Sequence, residues 1–212
     1  MPSSEPVLCD TTPLRYFALA ERFELLVRIL GGSVRTPRQV LDPIEDFAVS
    51  PSLLSEISQS EQYWSRKAQT PRGVAAWNRL RALKSCQDIE ICDLQQGEEL
   101  QRYAELRSDD LPQEHGLAAP LGRSKSAVMA IASTRGWGVV IDDREAHMVL
   151  AAVSPGTKVF TTRELLLHGA GPGGILTKIE AELVYADMRE WGYRGAFRCG
   201  IADHPGALVV SC

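Results

Sequence analysis

The sequence lacks any long hydrophobic run. Its apolar stretches are interrupted within a few residues by arginine, glutamate or aspartate, so no segment reaches the roughly 20 apolar residues that a membrane-spanning helix needs. The opening MPSSEPVLCD also lacks the basic and apolar segments of a secretory signal. We therefore expect a cytoplasmic protein with no membrane partner.

Paired cysteines and an excess of basic charge are also missing. The five cysteines show no CxxC spacing, which disfavours a zinc site and favours reduced thiols. The net charge of -4 argues against holding nucleic acid by bulk electrostatics, because phosphate neutralisation normally needs a basic face. One local basic patch surrounds two tryptophans and forms either a solvated helix face, which we favour, or an RNA-binding surface. Its members are Arg66, Lys67, Arg72, Arg79, Arg81 and Lys84, with Trp64 and Trp77.

Several catalytic signatures are absent as well. No GxSxG motif is present, so a serine hydrolase would lack its usual elbow. The run GAGPGG at 169–174 lacks the GK[ST] ending of a phosphate loop, and we interpret it as a linker. The four histidines show no ligand spacing to another histidine or cysteine, which favours surface or core roles.

What the sequence does contain is an alternation of strand and helix patterns over 212 residues, a length that fits a single domain. Short apolar runs predict strands, and helical patterns separate them. This alternation predicts an α/β fold with three layers, α/β/α, and a mostly parallel central sheet. Between residues 50 and 120 we expect additional helices, including a helical insertion at about 50–88, and a polar loop at 108–120.

Two of the predicted strands end in aspartates. Asp10 follows the apolar run at 7–9, and Asp142 and Asp143 follow the run at 137–141. In parallel sheets, sites form at the carboxyl ends of strands, so one edge could bring these carboxylates together. Clustered carboxylates suit Mg²⁺ or Mn²⁺, and a pair of such ions can promote phosphodiester cleavage. The alternative, that these aspartates only cap the helices that follow them, stays open.

Two longer segments carry ordered patterns. In VLCDTTPLRYFALAERFELLVRILGG a strand ends in aspartate, a threonine follows, and a leucine-rich helix pair runs to a glycine. In LGRSKSAVMAIASTRGWGVVIDDREAHMV a helix and a strand precede the pattern IDD-R-x-A. Both segments resemble the PIN-domain family, especially its VapC-like toxin ribonuclease branch. The resemblance implies a PIN-like fold and a metal-dependent endoribonuclease that acts on RNA. It also implies a toxin whose antitoxin partner blocks the active site and, by analogy, a homodimer.

The resemblance also assigns candidate site residues. Asp10 matches the family's first carboxylate, and Asp142 and Asp143 match its last pair, with Asp143 the better direct metal ligand. A further acid is expected after the second strand, where Asp42 is available. The implied Mg²⁺ or Mn²⁺ ligands are therefore these four aspartates.

Lys125 departs from the family pattern, because it occupies the helix position where the family places glutamate. An ammonium close to a divalent ion would cost several kcal/mol at an effective dielectric of about 20. Either the centre binds metal poorly, or Lys125 turns away from it. The lysine is an inactivating substitution, the mark of a naturally degenerate site, or a group that engages phosphate; we favour the first.

Two other functional classes stay open. A non-catalytic PIN-like module could bind protein or RNA and keep the acidic edge as a relic, which the loss of family acids would predict. A receiver-like phosphoacceptor domain also uses aspartates and a lysine at strand ends, but its acidic pair lies near the start of the chain. We rank the nuclease first, the binding module second and the receiver-like domain third.

Overall fold

The computed structural model describes residues 5–41, 71–117 and 120–195. Residues 38–41 are helical and a 3-10 turn covers Leu83–Ser85. The named elements follow in the order β1 (Val7–Cys9), α1 (Thr11–Leu19), α2 (Phe23–Ile29), β2 (Val34–Thr36), α3 (Pro71–Ala82), β3 (Ile89–Ile91), α4 (Glu98–Leu106), α5 (Leu111–His115), α6 (Arg123–Arg135), β4 (Gly138–Val140), α7 (Arg144–Val153), β5 (Val159–Phe160), α8 (Thr162–Gly169) and α9 (Lys178–Glu190).

The strands form one five-stranded parallel sheet in the order β3-β2-β1-β4-β5. Leu8 in the central strand β1 lies opposite Arg35 of β2 on one side and Val139 of β4 on the other. The innermost strands are apolar on both faces, and Leu8, Val139 and Val140 are fully buried. Such runs are typical of parallel strands that helices cover on both sides. The α/β class and the parallel sheet predicted from the sequence are confirmed.

Helices pack on the sheet in two groups. On one side α6 packs against α4, α7 and β1, while on the other α1 contacts α2, α3 and α9, and α8 contacts α2 and α9. Right-handed crossovers account for this division, because the chain moves from β1 to β3 in one direction and from β4 to β5 in the other. The result is the three-layer α/β/α arrangement expected for a PIN-like fold.

Two local features differ from the prediction. The segment expected to be a polar loop contains the short helix α5, which has Pro112 in its first turn and buries Leu111 in the core. The helix α8 was not predicted, although Thr161 and Glu164 form a capping box at its start. The expected helical insertion is helical from Pro71 to Ser85, and residues 50–70 lie outside the described part, so its extent stays a prediction.

Candidate functional site

The strand order reverses direction at the centre of the sheet. The chain lays β2 on one side of β1 and β4 on the other, so the order reverses between the carboxyl ends of β1 and β4. Ligands of open α/β sheets bind outside the carboxyl ends of the strands at such a reversal. Asp10 follows β1, and Asp142 and Asp143 follow β4 after Ile141; the Asp10 backbone N–H donates to the Val140 carbonyl at 3.0 Å. The topology thus brings the three predicted aspartates to one edge.

Asp10 is the most deeply buried acid at this edge. Its side chain is 3% exposed, and its Oδ1 atom accepts no hydrogen bond from the described residues. Burial raises the pKa of Asp10 to about 6, although the Thr11 backbone N–H and the positive charge of Lys125 oppose the rise. Asp10 occupies the N-cap position of α1 without a side-chain capping bond. Helix capping therefore does not explain Asp10.

Asp142 accepts hydrogen bonds from Thr162 and Tyr193, two residues that the sequence did not connect with the site. The Thr162 backbone N–H and hydroxyl donate to it at 2.8 and 2.5 Å, and the Tyr193 hydroxyl donates at 2.8 Å. Burial raises the pKa of Asp142, while these hydrogen bonds oppose the rise. Asp142 thereby ties the start of α8 and the segment after α9 to the end of β4.

Sequence reasoning missed both of these partners. The capping box at Thr161 and Glu164 was a signal for a helix start, and the backbone N–H groups of a helix start attract a carboxylate. No local pattern marks Tyr193, whose ring packs edge-on against Tyr16 and Tyr185 at centroid distances of 5.0 and 5.7 Å. Burial and the adjacent Asp142 carboxylate raise the pKa of Tyr193, which keeps its hydroxyl protonated as a donor.

Asp143 has two separate roles. One oxygen accepts the Ala146 backbone N–H at 2.9 Å and so caps α7, as the capping alternative predicts. The other forms an ion pair with the Lys125 ammonium, which the first turn of α6 supplies. Both side chains are about one-third exposed. Burial raises the pKa of Asp143, but the hydrogen bonds from Lys125 and Ala146 outweigh it and leave the pKa below its usual value.

Among the described residues, the side chains at this edge do not fit a divalent metal ion. Lys125 points toward the carboxylates and lowers the pKa of both Asp10 and Asp143. Each oxygen of Asp142 and Asp143 already accepts a hydrogen bond or ion pair. Within the described ranges, no group of three or more histidine, cysteine, aspartate or glutamate side chains is arranged to hold a metal. Asp42 lies outside the described residues, so its assignment and the Mg²⁺ or Mn²⁺ ligand set stay predictions.

The other groups near the edge are structural. Burial and the neighbouring Asp10 raise the pKa of the Cys9 thiol far above its usual value, so it is not a nucleophile. The His147 Nε2 atom lies 2.7 Å from the Ile141 carbonyl oxygen and braces the end of β4.

Only part of the predicted basic patch lies in the described residues. Arg79 donates to the Leu19 carbonyl at 3.1 Å, pairs with Glu21 and stacks 5.9 Å from the Trp191 ring centroid. These contacts make Arg79 a packing residue, as the solvated-face interpretation allows. Arg66, Lys67 and Trp64 lie outside the described residues.

Comparisons with known proteins add little to this geometry. No family model matches the sequence, and no curated protein matches it. One solved structure with a similar arrangement is the crystal structure of VapBC2 from Rickettsia felis bound to a DNA fragment from their promoter. It has 14% sequence identity and a TM-score of 0.43, and the match covers 73% of this chain and 97% of that chain. Similarity this distant carries no functional conclusion. None of the described helices is long and apolar enough to cross a membrane.

Proposed function

We propose that this chain carries the acidic centre of a PIN-type endoribonuclease, of the kind that serves as the toxin of a toxin–antitoxin pair, in a form that Lys125 keeps inactive. The supporting observation is the Lys125–Asp143 ion pair beside Asp10, at the switch point of a parallel sheet. The resemblance of the two ordered segments supplies the reaction class. An antitoxin partner, RNA as substrate and homodimer formation belong to the same proposal.

This chain's residues divide the work of that centre. Asp10 presents a buried carboxylate, one oxygen of which accepts no hydrogen bond from the described residues. Thr162 and Tyr193 fix the orientation of Asp142. Mg²⁺ or Mn²⁺ would supply phosphodiester activation in an active form, but the ammonium of Lys125 disfavours such an ion in this chain. We therefore assign no cleavage step to the chain as it stands.

RNA cleavage tests the proposal directly. Single-stranded and structured RNA are incubated with Mn²⁺ and the parent chain, Lys125→Glu, or Lys125→Glu combined with Asp10→Ala. We expect cleavage by Lys125→Glu alone, because glutamate restores a metal ligand and Asp10→Ala removes another. In a bacterial host, induced Lys125→Glu should slow growth and the parent chain should not. Metal-independent cleavage by the parent, or silence of all three proteins on folded samples, would contradict the proposal.

A non-catalytic binding module is the second candidate. The observation that favours it is that Asp142 and Asp143 already have structural partners, including the cap of α7 and the start of α8. On this alternative the parent and Lys125→Glu bind RNA or a partner protein equally and neither cleaves. An electrophoretic mobility shift with uncleaved RNA distinguishes the two candidates.

A further inference from the structure

We propose that the Lys125 ammonium is the resident counter-ion of the acidic edge, so that the chain folds and keeps Asp10, Asp142 and Asp143 together without a divalent cation. This inference goes beyond the nuclease assignment, since it concerns what neutralises the carboxylates whatever reaction they perform. It needs only the acidic edge that the proposed function also uses.

The fold creates an electrostatic problem at the acidic edge, because it places three carboxylates there. Asp10 and Asp142 are both drawn into the sheet edge, where low dielectric strengthens their mutual repulsion and that of Asp143. The hydrogen bonds from Thr162 and Tyr193 solvate Asp142 but bring no positive charge. A buried acidic edge of this kind requires a cation nearby or the uptake of protons.

Lys125 is positioned to act on these carboxylates. Lys125 lies in the first turn of α6, and α6 contacts β1 and α7. The strand β1 ends directly before Asp10, and α7 begins directly after Asp143. Its Nζ atom pairs with Asp143, and its charge acts on Asp10 as well. One ammonium therefore serves two of the three carboxylates, as a bound metal ion would.

The placement of Lys125 at the start of α6 opposes the electrostatics of the helix. Helix N-termini carry partial positive charge and disfavour cations. The first turn of α6 contains no acidic residue and begins with Arg123, so nothing within the helix offsets Lys125. The aspartates across the edge offset the unfavourable interaction between the Lys125 ammonium and the N-terminus of α6.

Thermal unfolding in the presence of EDTA or Mn²⁺ tests the inference without measuring activity. The variants are Lys125→Met, Lys125→Arg and Lys125→Glu, with Lys158→Met as a matched control. Lys158 pairs with Glu5 at 2.6 Å on the surface, where both side chains are about half exposed. A surface pair of this kind contributes little to stability.

In EDTA we expect Lys125→Met to lower the Tm on the order of 5 °C and Lys125→Glu to lower it further. Lys125→Arg and Lys158→Met should leave the Tm nearly unchanged. Mn²⁺ should raise the Tm of Lys125→Glu and leave that of the parent unchanged. Adding Asp10→Asn to Lys125→Met should recover part of the loss, because it removes one of the uncompensated charges.

A Tm of the parent that rises with Mn²⁺, or a Lys125→Met Tm equal to that of Lys158→Met, would overturn the inference. If Lys125→Glu does not fold, the Tm of the parent with Mn²⁺ and the Tm of Lys125→Met still test the inference. The outcomes also separate the two proposals. A Lys125→Glu protein that gains Mn²⁺-dependent stability without cutting RNA supports the counter-ion and refutes the nuclease. Mn²⁺-dependent cleavage by the parent would overturn the counter-ion inference and the claim that Lys125 keeps the nuclease inactive, and would leave only the reaction class standing.

Discussion

Helix α6 carries a basic side chain near each end, and the helix dipole acts on the two in opposite directions. At the C-terminal end, Arg135 pairs with Glu99 through two contacts of 2.6 and 3.1 Å and stacks 4.9 Å from the Trp137 ring centroid. At the N-terminal end, Lys125 pairs with Asp143 at a partly open edge. The helix dipole favours the arginine and disfavours the lysine. The first pair serves the fold, whereas the second is explained only by the acidic edge.

Their surroundings differ in the same way. Glu99 is 3% exposed and also accepts the Gln95 backbone N–H at 2.7 Å, while Arg135 also donates to the Asp93 carbonyl at 3.1 Å. Burial raises the pKa of Glu99, but the hydrogen bonds from Arg135 and Gln95 outweigh it. At the acidic edge, by contrast, Asp10 keeps an oxygen without a hydrogen bond. The fully paired Glu99 is explained by the fold, whereas the unpaired buried oxygen of Asp10 requires another explanation.

Removing the Arg135 cation at the C-terminal end of α6 should have the greatest consequence for stability. Arg135→Met leaves the buried Glu99 carboxylate without its cation, and we expect a loss of about 3 kcal/mol in the free energy of unfolding. Urea denaturation measures it. Lys158→Met is the control, and a loss as small as the control's would show that the Arg135–Glu99 pair is not the structural element described above.

The second prediction concerns the pH dependence that the acidic end creates. Because the pKa of Asp10 is raised from 3.8 to about 6 on folding, the folded chain binds a proton more tightly than the unfolded chain. The stability contributed by this group therefore increases as pH falls from about 7 toward 4, and is lost as pH rises through about 6. Asp142 acts in the same direction, and Asp143, whose pKa is lowered, acts in the opposite direction at lower pH.

Urea denaturation at about pH 5 and about pH 7 shows in which direction the stability changes with pH. The parent's stability should fall between the lower and the higher pH by more than that of Asp10→Asn, which cannot titrate at this position. Equal slopes for the two proteins would mean that Asp10 is not the buried titrating acid.

Loss of a single hydrogen bond to Asp142 should change stability less than either of these substitutions. Tyr193→Phe removes one of the hydrogen bonds to Asp142 while keeping the ring contacts with Tyr16 and Tyr185, and we expect a loss of about 1–2 kcal/mol. Urea denaturation again measures the change. Tyr103→Phe, on α4, provides a tyrosine control away from Asp142. Equal losses of unfolding free energy for the two variants would show that the hydrogen bond from Tyr193 to Asp142 does not stabilise the fold.

The sequence was sufficient for the sheet and for the acids that end its strands. The apolar runs at 7–9 and 137–141, each followed by aspartate, were local signals. The position of Lys125 was also visible, but its orientation was not. Whether a lysine turns toward or away from a carboxylate depends on how α6 packs against β1 and α7, and no pattern in the chain encodes that packing.

The partners of Asp142 were beyond sequence reasoning for a different reason. Thr162 is 20 positions from Asp142 and Tyr193 is 51, and neither belongs to a motif that includes the aspartate. Their proximity follows from the return of α8 and α9 to the face that carries α1 and α2. Long-range contacts of this kind are fixed by the three-layer arrangement as a whole.

Mn²⁺ binding shows whether Lys125 takes the place of a metal ion. Electron paramagnetic resonance of the free ion follows this binding during titration of the parent, Lys125→Met and Lys125→Glu. We predict that the parent leaves the free Mn²⁺ signal unchanged and that Lys125→Glu depletes it, with Lys125→Met between the two. Depletion by the parent as strong as that by Lys125→Glu would contradict the claim that the lysine takes the place of the metal.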